Sequence, residues 1–197
     1  MTRFRALQRY GLKPDTRICM FDSGVLLPVA PDDAAIKGMT DLSRVPAATT
    51  KPETTMDQAM QRMIHVGVRM LFVLDDFGTL IGLITARDIL GEKPVALAAT
   101  HHVARDTIQV EDIMVPLGQI DVLDFAEVER STIGDVVLTL RDAGRQHALV
   151  REVTSRGEEI RGVFSISQIA RQLGVPIQTN DVVQSFAGLE QLIASDD

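Results

Sequence analysis

Cysteine and long apolar runs are scarce in this sequence, and each scarcity excludes a class of protein. Cys19 is the single cysteine, which excludes a disulfide framework and a thiolate metal cluster. No uninterrupted apolar stretch reaches the length of a transmembrane helix, and the basic residues 1–13 lack the apolar run of a signal peptide. We therefore expect a cytoplasmic protein without a membrane span.

Positive charge is also in deficit. The chain has 20 Lys and Arg against 27 Asp and Glu, for a formal net charge of −7. Binding to the phosphates of nucleic acids requires clustered Lys and Arg, so we expect no nucleic-acid partner. A small pocket for an anion stays compatible with this charge, because local geometry can oppose the net field.

Motifs for catalysis and metal binding are missing as well. The sequence contains no Walker loop, no dinucleotide-binding fingerprint and no recognisable set of nucleophile, base and orienting residue. The pair His101-His102 has no cysteine or acidic residue at ligand spacing on a predicted helix or strand, which favours a solvated linker over a metal site. We expect a protein that is not an enzyme, with no catalytic residue, no catalytic cofactor and no metal.

What the sequence does contain is an internal repeat. Residues 55–89 align with residues 132–169, with three extra residues in one turn of the second copy. The copies end in matching segments, residues 82–89 and 162–169. A repeat of this length indicates one supersecondary unit built twice, with the apolar faces of the two units packed together.

Each copy predicts the order strand, helix, strand, strand, helix. In the first copy Thr55 is the predicted N-cap of a helix and Gly67 its end. The other predicted elements of the first copy are strands over 45–50, 70–74 and 80–84 and a helix from Thr85 to about residue 90. The second copy predicts strands over 120–125, 147–153 and 160–164, a polar turn over 154–159, and helices from residue 133 to Gly144 and from Ser165 to about residue 173.

The repeat divides the chain into five segments. We predict an N-terminal extension over residues 1–38, a first repeat over 39–92, a linker over 93–107, a second repeat over 108–174 and a tail over 175–197. Apolar residues at helical spacing over 181–194 predict an amphipathic helix in the tail, which needs a partner surface.

The segment that ends each copy carries the family resemblance. A glycine, two apolar residues, Thr or Ser, two variable residues and Asp, placed after two short strands, resemble the CBS (cystathionine-β-synthase) domain. Two such units over about residues 39–174 resemble a tandem CBS pair, or Bateman module, of the stand-alone bacterial type. The resemblance implies an α/β (α+β) fold of two β-α-β-β-α repeats packed with pseudo-twofold symmetry, with an N-terminal extension and a C-terminal helix. It also implies clefts that bind adenosine-containing ligands such as AMP, ADP or ATP.

The resemblance assigns roles in the first motif. Asp88 would accept hydrogen bonds from the ribose hydroxyls, Thr85 and Arg87 would face the phosphate, and Thr50 would lie on the adenine side. A carboxylate suits a vicinal diol because it can accept from both hydroxyls. The alternative is structural, with Thr85 as a helix N-cap and Asp88 as a first-turn carboxylate that stabilises the helix dipole.

The second motif departs from the family pattern. Ser165 and Ser167 fit, but Gln168 stands where the family has Asp. A neutral amide can bond a ribose with less charge-assisted strength. We therefore expect one occupied site around Asp88 in preference to two.

These features predict a regulatory, ligand-sensing CBS-pair protein that binds an adenine nucleotide and modulates a partner protein of unknown identity. The resemblance also implies a homodimer formed through the CBS helices. The alternative is a ligand-free structural or dimerisation module, which Gln168 favours.

Overall fold

The computed structural model describes residues 27–155 and 157–175, which form two four-stranded sheets and the helices around them. The predictions for residues 1–26, including Cys19, and for the helical tail over 181–194 lie outside these residues. The strands are β1 (Thr40–Asp41), β2 (Thr49–Thr50), β3 (Met70–Leu74), β4 (Leu80–Thr85), β5 (Val115–Pro116), β6 (Val122–Asp124), β7 (His147–Thr154) and β8 (Gly157–Ser165). The helices are α1 (Met56–Val66), α2 (Ala86–Leu90), α3 (Glu92–His101), α4 (Val110–Ile113), α5 (Phe125–Val128), α6 (Ile133–Asp142) and α7 (Ile166–Gln172), with 3-10 turns at Ala35–Gly38, Arg105–Thr107 and Leu117–Gln119.

Helix α1 begins and ends where the sequence predicts. The Thr55 side chain accepts a hydrogen bond from the Gln58 backbone N–H, and the Gln58 side chain accepts from the Thr55 N–H, which satisfies two donors that the first helical turn leaves free. Gly67 adopts the left-handed conformation, with φ 76°, and ends the helix. The buried stripe of Met56, Ala59 and Met63 fixes α1 against its sheet.

The second copy follows the same plan with a longer hairpin. Thr132 and Asp135 form the equivalent capping box of α6, and Gly144 is again left-handed. The prediction of a polar turn over 154–159 was wrong, because β7 extends to Thr154 and β8 starts at Gly157. The predicted leading strands over 45–50 and 120–125 shorten to β2 and β6.

The two sheets have the same topology and register. β2 and β6 run parallel to β3 and β7, which pair antiparallel with β4 and β8. Met70 lies opposite Thr85 in one sheet and His147 opposite Ser165 in the other. The register shifts directly after Val73 in β3 and directly after Val150 in β7. The predicted α/β fold of two β-α-β-β-α repeats is confirmed.

The outermost strand of each sheet comes from the other half of the chain. β1 pairs with β8 at the edge of the second sheet, and β5 pairs with β4 at the edge of the first. The motif glycines permit this exchange, because a Cβ at Gly162 would collide with the Met39 side chain and a Cβ at Gly82 would collide with Val115 and Met114. The glycine that begins each motif is therefore needed for the exchanged strands β1 and β5 to pack against β8 and β4.

Three apolar clusters hold the molecule together. One cluster lies under each sheet, and each of these two combines residues that are distant in sequence. Met39 packs with Phe164 and Ile169 in one, and Ile108 packs with Met56 and Ile84 in the other. The third joins the two sheets through residues that include Phe72, Leu149 and Val163. The repeat boundaries at 39–92 and 108–174 stay a prediction.

Over residues 27–155 and 157–175, no helix combines the length and the apolar character needed to cross a lipid bilayer.

Candidate ligand-binding clefts

Two clefts lie between the repeats, each with a motif from one repeat and a wall from the other. The first cleft holds Thr85, Arg87 and Asp88, faces residues 139–149 of the second repeat, and encloses about 770 Å³. The second cleft holds Ser165, Ser167 and Gln168, faces residues 60–72 of the first repeat, and encloses about 830 Å³. Both volumes are those of small-molecule sites. The structure therefore brings six of the seven predicted site residues into two clefts, three in each.

Asp88 is held in the first cleft by its own helix. One carboxylate oxygen accepts from the Thr85 backbone N–H at 3.0 Å and from the Thr85 hydroxyl at 2.6 Å. The other oxygen accepts from the Lys93 ammonium at 2.8 Å, and the Asp88 side chain is only 13% exposed. Thr85 caps α2 in return, since its hydroxyl accepts from the Asp88 N–H. The hydrogen bonds between Thr85 and Asp88 therefore cap α2 and orient the Asp88 carboxylate at the same time.

The first cleft has charges of both signs. Three cationic and three acidic side chains line it: Arg87, Lys93, Arg145, Asp88, Glu92 and Asp121. The guanidinium groups of Arg87 and Arg145 make no hydrogen bond or ion pair with any residue that the structure describes. Leu83, Val122 and Leu140 are among the apolar residues of its wall. The cleft can therefore hold a flat apolar group beside an anion.

The second cleft is arranged differently at the same positions. Ser165 precedes α7 but makes no capping hydrogen bond, and its hydroxyl lies 3.0 Å from that of Ser167. The Gln168 amide accepts from the Thr40 hydroxyl at 3.1 Å and donates to the Gly38 carbonyl at 3.4 Å. Gln168 therefore holds the chain at β1 against the second repeat, through Gly38 and Thr40. Asp88, in contrast, interacts with its own helix and with Lys93.

His147 borders both clefts. It occupies the place in β7 that Met70 occupies in β3. Burial, followed by the positive charge of Arg69, lowers the pKa of His147 to about 4, and the negative charge of Asp88 opposes the shift. The imidazole is therefore neutral at physiological pH and is sensitive to charges in both clefts.

Thr50 lines neither cleft. It is 8% exposed within β2, where it pairs with Val73. Sequence reasoning missed Arg69, Arg145 and His147, which line the clefts from outside the motif. The available signal was their position shortly after Gly67 or Gly144, where each helix ends and the next strand approaches the opposite motif.

The strongest electrostatic interaction outside the clefts is structural. Arg161 binds Asp41 through two hydrogen bonds of 3.0 Å and Glu152 through a third. The guanidinium also lies 4.8 Å from the centre of the Phe125 ring. Its hydrogen bonds hold the pKa of Asp41 far below the usual range. In the described part of the chain, no group of three or more His, Cys, Asp or Glu residues could hold a metal ion.

Comparison with known proteins agrees with the geometry. Residues 28–94 match the family model of the CBS domain. An uncharacterised protein of Methanopyrus kandleri is 34% identical over 58 residues, which are 29% of this chain and 30% of that protein. The chain thus spans about a third of the length of the curated relative that it matches.

A solved structure shows the same fold. An uncharacterised conserved protein from Pyrococcus horikoshii has 21% identity and a TM-score of 0.53, over 77% of this chain and 99% of that one. CBSX2, a CBS-pair protein of Arabidopsis thaliana, has been solved in complex with AMP; it has 20% identity and a TM-score of 0.48, over 71% of this chain and 94% of that one.

The family match covers the first repeat, and the second repeat has the same strand order and register. No catalytic family is indicated by these comparisons. The comparisons therefore identify a CBS domain over residues 28–94, and the second repeat has the same fold as the first.

Proposed function

We propose that this CBS pair is a regulatory, ligand-sensing protein that binds an adenine nucleotide in the first cleft and modulates a partner protein. The observation that carries the proposal is the position of Asp88. Its carboxylate is oriented by Thr85 at one side of a cleft that also contains the guanidinium groups of Arg87 and Arg145, which have no partner among residues 27–155 and 157–175.

The chemistry of the first cleft suits each part of a nucleotide. An ionised carboxylate has about four acceptor positions, and Asp88 uses three of them, on Thr85 and Lys93. The remaining position can accept from one ribose hydroxyl, and movement of the half-exposed Lys93 side chain frees a second. Arg87 and Arg145 can pair with the phosphates, and the apolar wall can contact adenine. Thr50 stays a weaker candidate, because it is buried outside this cleft.

Binding at this place can be transmitted because the ligand would touch both repeats. Asp88 and Arg87 belong to the first repeat and Arg145 to the second. A ligand that prefers one arrangement of the repeats shifts the protein toward it, by as much as its affinity for the two arrangements differs. AMP, ADP and ATP differ in phosphate charge, so they can differ in this effect.

Calorimetric titration of AMP and ATP into Asp88→Ala tests the proposal. Loss of a charge-assisted hydrogen bond should weaken binding by roughly ten- to a hundredfold. Asp135→Ala is the matched control, because Asp135 closes the same kind of capping box with Thr132 and lines neither cleft. Equal affinities of the wild type and Asp88→Ala would leave Asp88 as a helix-capping residue only.

A ligand-free interaction module is the second candidate, and one observation favours it. Both oxygens of Asp88 already have partners in the folded chain. We propose dimerisation through the CBS helices for either function, since Leu90 of α2 and Val95 of α3 are 72% and 61% exposed. Sedimentation at micromolar concentration should show a homodimer, and a monomer throughout would refute this part.

A further inference from the structure

The second cleft differs from the first in the sign of its charge. Among the described residues, Arg69 and Arg171 line it and no Asp or Glu does. The first cleft has three residues of each sign. In a protein with a net charge of −7, a cleft bordered by cations alone attracts an anion by local geometry.

The polar groups that the structure describes in the second cleft are suited to an anion and include no carboxylate that could accept from both hydroxyls of a sugar diol. The Arg69 guanidinium forms no hydrogen bond or ion pair with any described residue. The hydroxyls of Ser165 and Ser167 bond each other and can turn to donate to a bound oxygen. The Gln168 carbonyl accepts from Thr40 and its amide nitrogen donates to Gly38, so the neutral side chain has one acceptor position left for a ribose diol.

The rest of the second cleft is apolar. Its wall includes the side chains Met60, Met63, Ile64, Val66, Met70 and Phe72. Methionine side chains adapt to ligands of irregular shape because they are unbranched and polarisable. Ile64 and Val66 are 65% and 48% exposed, so apolar surface is left for a ligand to cover.

We propose that the second cleft binds an amphipathic organic anion, with a carboxylate or phosphate group on a hydrocarbon or aromatic body and no sugar. Arg69 and the two serine hydroxyls hold the anionic group, and Arg171 adds positive charge at the same side. The apolar part lies along α1 and β3. This proposal is independent of nucleotide binding in the first cleft, and the protein would then respond to two different ligand classes.

The first test is calorimetry on the full chain with three eight-carbon probes: octanoate, octyl phosphate and octan-1-ol. At least one anion should bind about tenfold more tightly than the alcohol, because only the anion pairs with Arg69. A comparison of the two anions shows which anionic group the cleft prefers. Equal binding of the alcohol, or no binding of any probe, would overturn the proposal.

Two substitutions locate the charge. Arg69→Gln should weaken the preferred anion by about tenfold or more. Arg145→Gln removes an equally unpartnered guanidinium from the first cleft and should weaken AMP while sparing octanoate. Arg130→Gln removes the same charge outside both clefts and should change neither. An Arg69→Gln protein that binds octanoate as the wild type does would refute the role of Arg69.

Methionine methyl resonances give a readout that does not depend on a variant. Met60, Met63 and Met70 line the second cleft, whereas Met114 packs beside Gly82. Octanoate should shift the first three methyl signals and leave Met114 unchanged. AMP should displace no octanoate if the sites are separate. Shifts confined to other methionines, or displacement by AMP, would place the anion elsewhere and overturn the proposal.

Discussion

The two clefts occupy equivalent places in the repeats but have different side chains. Asp88 in the first corresponds to Gln168 in the second. Asp88 accepts hydrogen bonds from Thr85 of its own motif, whereas Gln168 donates to Gly38, which precedes β1. His147 beside the first motif's cleft corresponds to Met70 in the other repeat. The repeated backbone fixes where a cleft lies, and residues outside the motif determine what it can hold.

The exchanged strands β1 and β5 also differ in how strongly each is attached to its sheet. β1 is attached to the second sheet by the Asp41–Arg161 pair and by Gln168. At the equivalent edge of the first sheet, β5 carries Pro116 opposite Gly82, in the place of Asp41 opposite Gly162. The second sheet therefore has a polar attachment of its edge strand that the first lacks.

The largest expected effect separates these two edges. Asp41→Ala removes two bonds to a guanidinium that is 25% exposed and should lower the free energy of unfolding by about 2 kcal/mol. Pro116→Ala, at the equivalent place in the first sheet, should change it by less than about 0.5 kcal/mol. Urea denaturation measures both. Similar losses would mean that the two edges are equally secured.

The next effect concerns pH and distinguishes His147 from Met70. The usual pKa of His147 is 6.5 and its folded value is about 4. Between these values the unfolded chain binds a proton that the folded chain does not, so the free energy of unfolding falls as the pH falls through this window. We expect a loss of about 1–2 kcal/mol, because the imidazole is half-buried.

His147→Met copies the residue of the first repeat and should remove this pH dependence. The carboxylates with lowered pKa, such as Asp135, contribute stability that is lost only as the pH falls below their usual value of 3.8. Unfolding measured from pH 7 to pH 4.5 therefore isolates the histidine. An unchanged slope in His147→Met would exclude it as the cause.

The smallest effect compares the two motif hydroxyls. Thr85→Ala removes a helix cap and should lower stability by about 1 kcal/mol, because the Thr85 hydroxyl accepts from the Asp88 N–H. Ser165→Ala removes no capping bond and should lower it by less than about 0.5 kcal/mol. Thermal unfolding of the two variants makes the comparison. A larger loss in Ser165→Ala would reverse the assigned roles.

The sequence predicted the parts of the fold that local patterns encode. Thr55 and Gly67 mark the ends of α1 because capping and left-handed glycine are local chemistry. The β7–β8 hairpin was underestimated because polar residues near its tip, such as Glu158 and Glu159, lie in paired strands that extend beyond the core. β1 and β5, of two residues each, are too short for any periodicity.

The site was predicted only where the motif carries it. Thr85 and Asp88 follow from the repeated segment, but Arg69 and Arg145 reach the clefts through the packing of one repeat on the other. Such contacts depend on tertiary structure, which no local pattern contains. The charge difference between the clefts was therefore not visible in either motif.

The exchange of edge strands has a consequence for the order in which the protein assembles. The first sheet can close once β5 has been synthesised, but β1 must wait for β8, about 120 residues later. Until then Met39 and the rest of its segment have no core to enter, since that core is built from residues such as Phe164 and Ile169. Contacts this distant in sequence slow folding, because the loop between them must be closed first. A nascent chain that stalls before β8 would thus expose the unpaired edges of β1 and the apolar Met39 side chain next to it, which are targets for chaperones or for pairing with another chain.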